Sequence, residues 1–126
     1  MATGALCLAI AGVVRATLPG NELTLAWTHS VEKTRWEERY VSDGASLTLV
    51  EARVQGLGAG MEPRPGAVLR EGWWQWAPML SLPELRLTYS TFTVDYTLCA
   101  QARCQSLRTL LGDAPEQGAL VEVRPC

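Results

Sequence analysis

The chain contains a single histidine, His29, and the residues around it decide what chemistry is open to it. Leu23, Leu25, Trp27, His29 and Val31 alternate with small or polar residues, so the pattern predicts one strand face carrying all five. Trp36, Glu38 and Tyr40 share a face on the way back. A tight turn centred on Lys33-Thr34 predicts the cross-strand pairs Val31–Trp36, His29–Glu38 and Trp27–Tyr40, setting a histidine against a carboxylate on an otherwise apolar face. Such a pair could pass a proton or orient a ligand. The plainer alternative is structural, with each group relieving the other's desolvation cost. Ser30 would point to the opposite face, so a Ser-His-Asp triad has no suitable nucleophile and a serine hydrolase is not expected.

The four cysteines are Cys7, Cys99, Cys104 and Cys126. A hairpin turn centred on Gln101-Ala102 pairs Cys99 with Cys104, Thr97 with Ser106 and Asp95 with Arg108. The first pair is close enough for a cross-strand disulfide, and the last reads as a structural ion pair. On the other face Leu98, Tyr96, Val94 and Phe92 meet Gln105, Leu107, Thr109 and Leu111. Cys7 and Cys126 are then left to join the two ends of the chain. The rival arrangement is a four-thiolate zinc site, although structural zinc normally draws on two close pairs of ligands and only one pair is close here. Free thiols, or a single bridge, are the third possibility. No metal or other cofactor is expected.

A second group of candidates is the cluster Trp73, Trp74 and Trp76. It lies in a stretch from Gly56 to Pro83 that carries four prolines and five glycines and shows no alternation. A long loop of this kind in a compact domain is often functional, and its indoles could cover a pocket or form an adhesive surface. The run Gly56-Leu57-Gly58-Ala59-Gly60 lacks the Gly-Lys-Ser/Thr ending of a phosphate-binding loop. No Asp-x-Asp spacing suggests a calcium loop.

The elements that must position these residues are strands. Leu6, Leu8 and Ile10 alternate before Ala11-Gly12, Val13 to Leu18 follow, and Pro19-Gly20-Asn21 and Ser42-Asp43-Gly44 are further turn signals. Leu47 to Val54, Leu85 to Tyr89, Phe92 to Leu98 and Ala119 to Arg124 continue the pattern, and Leu107 to Leu111 allow one helical turn. The apolar start, Met1 to Val14, has no basic leader and reads as the first strand rather than an export signal. The expectation is all-β: one domain over residues 1–126, a small antiparallel sandwich or partly open barrel of about seven or eight strands, with a long Gly/Pro/Trp-rich loop.

Composition excludes several classes. With 126 residues, 48% of them hydrophobic and 19% charged, the chain is suited to one buried core rather than to disorder. The net charge is −2 and the basic residues are scattered, so no nucleic-acid footprint exists. No apolar run reaches the roughly 20 residues of a transmembrane helix.

The stretch Trp27-Thr-His-Ser-Val-Glu-Lys-Thr-Arg-Trp-Glu-Glu-Arg-Tyr40 resembles the signature of a bacterial domain family of unknown function, often encoded beside TRAP-type transporter genes of the TAXI type. Gly56-Leu-Gly-Ala-Gly-Met-Glu-Pro63, Gly72-Trp-Trp, the Tyr96–Cys104 hairpin and the ending Arg124-Pro-Cys126 fit the same family. The resemblance implies a bacterial source and a neighbouring uptake system for small organic solutes, and it brings no activity, cofactor or catalytic residue. The expected function is a non-catalytic binding or accessory module that holds a small solute or a protein partner through His29, Glu38, Trp36, Trp73 and Trp74. The alternatives are a small enzyme using His29 and Glu38 as an acid–base pair, and a structural or assembly domain. Disulfides would place the protein in the periplasm, and their absence in the cytoplasm.

Overall fold

The computed structural model describes residues 4–28, 33–55, 65–90, 95–112 and 118–126. His29, the glycine-rich run 56–60, Phe92 and Val94 lie outside them. Alternating apolar residues produce β1 (Ala5–Ile10), β2 (Val13–Pro19), β3 (Glu22–Thr28), β4 (Arg35–Ser42) and β5 (Leu47–Gln55). The β1–β2 turn holds Ala11 at φ 51° and Gly12 at φ 81°, the left-handed pair that a tight hairpin requires to match strand twist. After β5 come β6 (Val68–Arg70), β7 (Trp73–Trp76), β8 (Leu80–Leu82), β9 (Leu85–Thr88), β10 (Thr97–Ala100), β11 (Arg103–Ser106), helix α1 (Leu107–Leu111) and β12 (Leu120–Pro125).

Two antiparallel sheets result. The smaller has the order β2-β1-β12-β9, and the larger runs β11-β10-β3-β4-β5-β7-β6 with β8 also paired to β5. The all-β sandwich expected from the sequence is therefore formed, and it is not a closed barrel. The longer strands supply alternate residues from their inward faces to a common core. Leu6 and Leu8 of β1, Leu85 and Leu87 of β9 and Val121 and Val123 of β12 meet Leu23, Leu25, Tyr40, Leu47, Leu49 and Leu98 from the larger sheet. Burying a Leu or Val side chain is worth about 1.5–3 kcal/mol, so this interdigitated layer is the main source of cohesion. Ala5–Ile10, read from the sequence as a strand, occupies an interior position in the smaller sheet.

Two expectations need correction. The stretch 68–82 is not an open loop: β6 and β7 form a hairpin through Glu71 (φ 50°) and Gly72 (φ 86°), and β7 and β8 pair successively with β5 around Met79 (φ 51°). These three short strands also raise the strand count above seven or eight. The predicted ion pair between Asp95 and Arg108 is replaced by a helix-start contact. The chain leaves β11 at Ser106, whose Oγ accepts from the Thr109 N–H and caps α1. Arg108 therefore lies in the first helical turn, where its backbone N–H donates to Asp95 Oδ2 at 3.0 Å.

The β10–β11 hairpin has the register expected from its turn, with Thr97 opposite Ser106 and Cys99 opposite Cys104. Cys99 and Cys104 form a disulfide with Cα atoms 4.0 Å apart. Cys7 and Cys126 form the second, at 5.2 Å, beside the backbone bond from Cys126 N–H to Ala5 carbonyl. With the cysteines paired in two separate places, the four-thiolate zinc alternative is not formed.

Candidate functional site

Cross-strand register sets the side chains of the larger sheet's inner face in rows. One row is Leu23, Tyr40, Leu49 and the half-exposed Leu80. The next is Leu98, Leu25, Glu38, Ala52 and Trp76. The outermost is Trp27, Trp36, Val54, Trp74 and Leu69. The core cluster includes Leu23, Tyr40, Leu49, Leu25 and Leu98, and Trp27 packs against its margin. Trp36, Ala52, Val54, Trp74 and Trp76 belong to the same face but not to that cluster. The aromatic end of the large sheet thus lies beside the core cluster rather than within it.

The rings at this end are ordered against one another. Trp27 and Trp36 lie parallel, with centroids 6.0 Å apart and planes 6° apart. Tyr96 meets Trp27 edge-on at 5.9 Å. Trp36 and Trp76 stand at right angles, 6.3 Å apart, reaching each other across β5, whose Ala52 and Val54 are buried. These are the offset and edge-to-face arrangements that ring quadrupoles favour.

Glu38 is set among them. It is half-buried, and its Oε1 accepts the Tyr40 hydroxyl at 2.8 Å. Burial raises its pKa above the ordinary carboxylate value, and the Tyr40 hydrogen bond only partly offsets that rise. The Tyr40 phenol is driven far up by its own burial and by the Glu38 charge, and Tyr96 shifts upward for the same two reasons. Both phenols therefore keep their protons, and that of Tyr40 is donated to Glu38. No basic side chain among the described residues forms an ion pair with Glu38.

The opposite face of the sheet is organised differently. Glu37 accepts two hydrogen bonds from Arg53, at 2.9 and 2.6 Å, and also meets Arg35 at 3.7 Å. Arg39 pairs with Glu22 at 3.2 Å. The Arg53 guanidinium lies 4.1 Å from the centroid of the Trp73 ring. A depression of about 160 Å³ is lined by Thr24, Glu37, Glu38, Arg39, Glu51 and Arg53. Glu37 and Glu22 are matched with arginines, whereas Glu38 accepts from a phenol.

Of the residues picked out by sequence, Glu38, Trp36 and Trp74 are on the inner aromatic face. Trp73 is not: successive residues of β7 point to opposite sides, which places it outside with Arg53. The expected register of the first hairpin is also corrected. Leu25 stands opposite Glu38, and Trp27 stands opposite Trp36 rather than Tyr40, a shift of four residues. An even shift leaves each side chain on its expected face, so alternation is satisfied equally by both registers. The observed one puts Leu23 and Tyr40 together in the core and stacks two indoles. It also withdraws the argument that placed His29 across from Glu38. Trp76, named with the tryptophan cluster, lies on the same face as Trp74, two residues away. Tyr40, Trp27 and Tyr96 join the site without having been singled out for it, and the signal for Tyr40 was parity, since it lies two residues from Glu38.

No group of three or more potential metal ligands occurs among the described residues, and none of their helices is long and apolar enough to cross a membrane. No match is found among curated proteins or solved structures. The model of one family, described as Domain of unknown function (DUF1850), matches residues 23–107, a span running from β3 into α1 and including every residue of the aromatic face. The chain belongs to that family.

Proposed function

We propose that this member of the family is a non-catalytic binding module whose working surface is the aromatic end of the large sheet's inner face. One observation carries the reading: a half-buried carboxylate, Glu38, stands among Trp27, Trp36, Trp76 and Tyr96 with no basic partner among the described residues. A carboxylate in apolar surroundings costs stability unless it is paired, and among the described residues the hydrogen-bond partner of this one is a phenol. A position that stability alone would fill with Leu or Gln is consistent with a ligand that completes the pairing. The concentration of indoles beside it supports the same reading, because aromatic rings dominate binding surfaces.

The compartment and partner follow as part of the proposal. Two disulfides suit an oxidising environment, which in a bacterium is the periplasm. The family's resemblance to proteins encoded beside TAXI-type TRAP transporters supplies a context in which a solute-binding or transporter-docking accessory would act. The acid–base alternative loses support with the corrected register, since it rested on His29 facing Glu38.

Native mass spectrometry of protein isolated from its own host under non-denaturing conditions tests the reading. A retained small-molecule mass is expected, lost in Trp36→Phe and Trp76→Phe and kept in Trp73→Phe on the outer face. A bare protein mass, with no change in indole fluorescence on addition of the host's small-molecule fraction, would overturn it.

A further inference from the structure

We infer that the ligand of this face is an organic cation, a compact substituted ammonium group held between Glu38 and the indoles of Trp36 and Trp76. The inference rests on the reading of the face as a binding site and adds the chemistry of what occupies it.

Charge is the first argument. The arginines of β4 and β5 alternate away from Glu38: Arg35, Arg39 and Arg53 lie on the outer face and are engaged there by Glu37, Glu22 and Trp73. Among the described residues the inner face offers a carboxylate and two protonated phenols, and no cation. An anionic ligand would meet Glu38 with no cation among the described residues to offset it, and like charges at short range in a partly desolvated site repel strongly. A neutral ligand would add no charge to pair with the half-buried carboxylate. A cation supplies the charge that the described residues of this face do not.

Ring geometry is the second. A cation is attracted to the face of an aromatic ring, most of all to an indole, and recognition of substituted ammonium groups uses several rings set at angles to one another. Trp36 and Trp76 meet at 90° across β5, so rings of two orientations face each other there, while Trp27 on β3 lies parallel to Trp36 on its other side. This protein already uses the interaction on its other face, where Arg53 covers Trp73 at 4.1 Å.

Spacing is the third. Glu38 and Trp76 are separated by β5, and with strands about 4.8 Å apart their backbones stand roughly 10 Å apart. The residue between them is Ala52, which projects only a methyl group. Tyr40, hydrogen-bonded to the same carboxylate, fixes the orientation of Glu38 without neutralising it. A group with a bulky, weakly hydrated positive head fits this arrangement better than a small, strongly hydrated metal ion, for which the face provides one carboxylate and too few oxygens.

Three near-isosteric probes that differ in charge test the inference on the unmodified protein: choline, 3,3-dimethylbutan-1-ol and 3,3-dimethylbutanoate. Binding is read by calorimetry and by indole fluorescence. Choline should bind saturably and at least about tenfold more tightly than the neutral alcohol, a difference of the size that a cation–π and ion contact provides, and the carboxylate should not bind. Glu38→Gln should remove the preference for choline, whereas Trp73→Ala should retain it. If Glu38→Gln does not fold, the comparison of the three probes on wild type still decides. Binding of the alcohol or the carboxylate as tightly as choline, abolished by Trp36→Phe, would overturn the cation assignment and leave the binding module intact. Binding of none of the three would overturn the cation assignment too, and the ligand retained from the host then decides the module reading separately.

Discussion

The two disulfides are predicted to stabilise the protein unequally, in a ratio set by the lengths of chain they close. Cys7 and Cys126 are 119 residues apart, and Cys99 and Cys104 only 5. In the loop-entropy description, a cross-link lowers the freedom of the unfolded chain by an amount that grows with the logarithm of loop length. That relation gives about 4.9 kcal/mol for the long loop and about 2 kcal/mol for the short one at 25 °C. Native packing should disturb the comparison little, because Cys7 and Cys99 are half-buried and Cys104 and Cys126 exposed. The assay is urea unfolding of Cys7→Ala/Cys126→Ala and Cys99→Ala/Cys104→Ala, each measured with the other bond intact. The first pair should lose about 3 kcal/mol more than the second, and its denaturant slope should rise as the unfolded chain expands. Equal losses, or a larger loss from the hairpin bond, would refute the reasoning. They would show that the bonds act mainly through folded-state contacts, such as the β1–β12 ladder beside Cys126.

Two further predictions concern polar groups in apolar surroundings. The Glu38 pKa is raised in the folded state, so the folded protein holds that proton more tightly than the unfolded chain. Its contribution to stability is therefore fully present at low pH and falls as pH rises past the ordinary value of 4.5. Glu38→Gln should remove this descending slope and leave the protein no less stable at pH 7, as checked by melts from pH 4 to 8; an unchanged slope would contradict it. The Tyr89 hydroxyl is buried with no hydrogen-bond partner among the described residues, so Tyr89→Phe should raise stability by about 1 kcal/mol. A loss on denaturant unfolding would mean that the hydroxyl is satisfied.

The β10–β11 hairpin was legible in the sequence because three independent constraints coincide there. A two-residue turn, the Cys99/Cys104 pair and the change of face polarity all require the same register. The first hairpin lacked such a constraint. Alternation between Leu23 and Tyr40 fixes which side chains face inward but defines the register only to within an even number of residues. The indole stack and the core contact of Leu23 with Tyr40 then decide it. The β6–β7 hairpin escaped notice for another reason. Glu71-Gly72 is an acceptable tight turn, but its flanking strands are three and four residues long and lie among prolines and glycines whose composition suggests a loop. Glu38 and Trp36 could be picked out as candidates from the strand pattern. The separation of Trp73 from Trp74 and Trp76 could not, because it depends on recognising β7 as a strand at all.

On the proposed function the inner aromatic face binds and the outer face does not, and the five tryptophans divide between them. The most direct measurement is therefore an ¹⁵N NMR titration of the indole N–H signals with choline, assigned by single Trp→Phe variants. The signals of Trp36 and Trp76 should move most, those of Trp27 and Trp74 less, and that of Trp73, under Arg53, should stay in place. Movement of Trp73 alone, or no movement of any indole with choline or with the host's small-molecule fraction, would contradict the account.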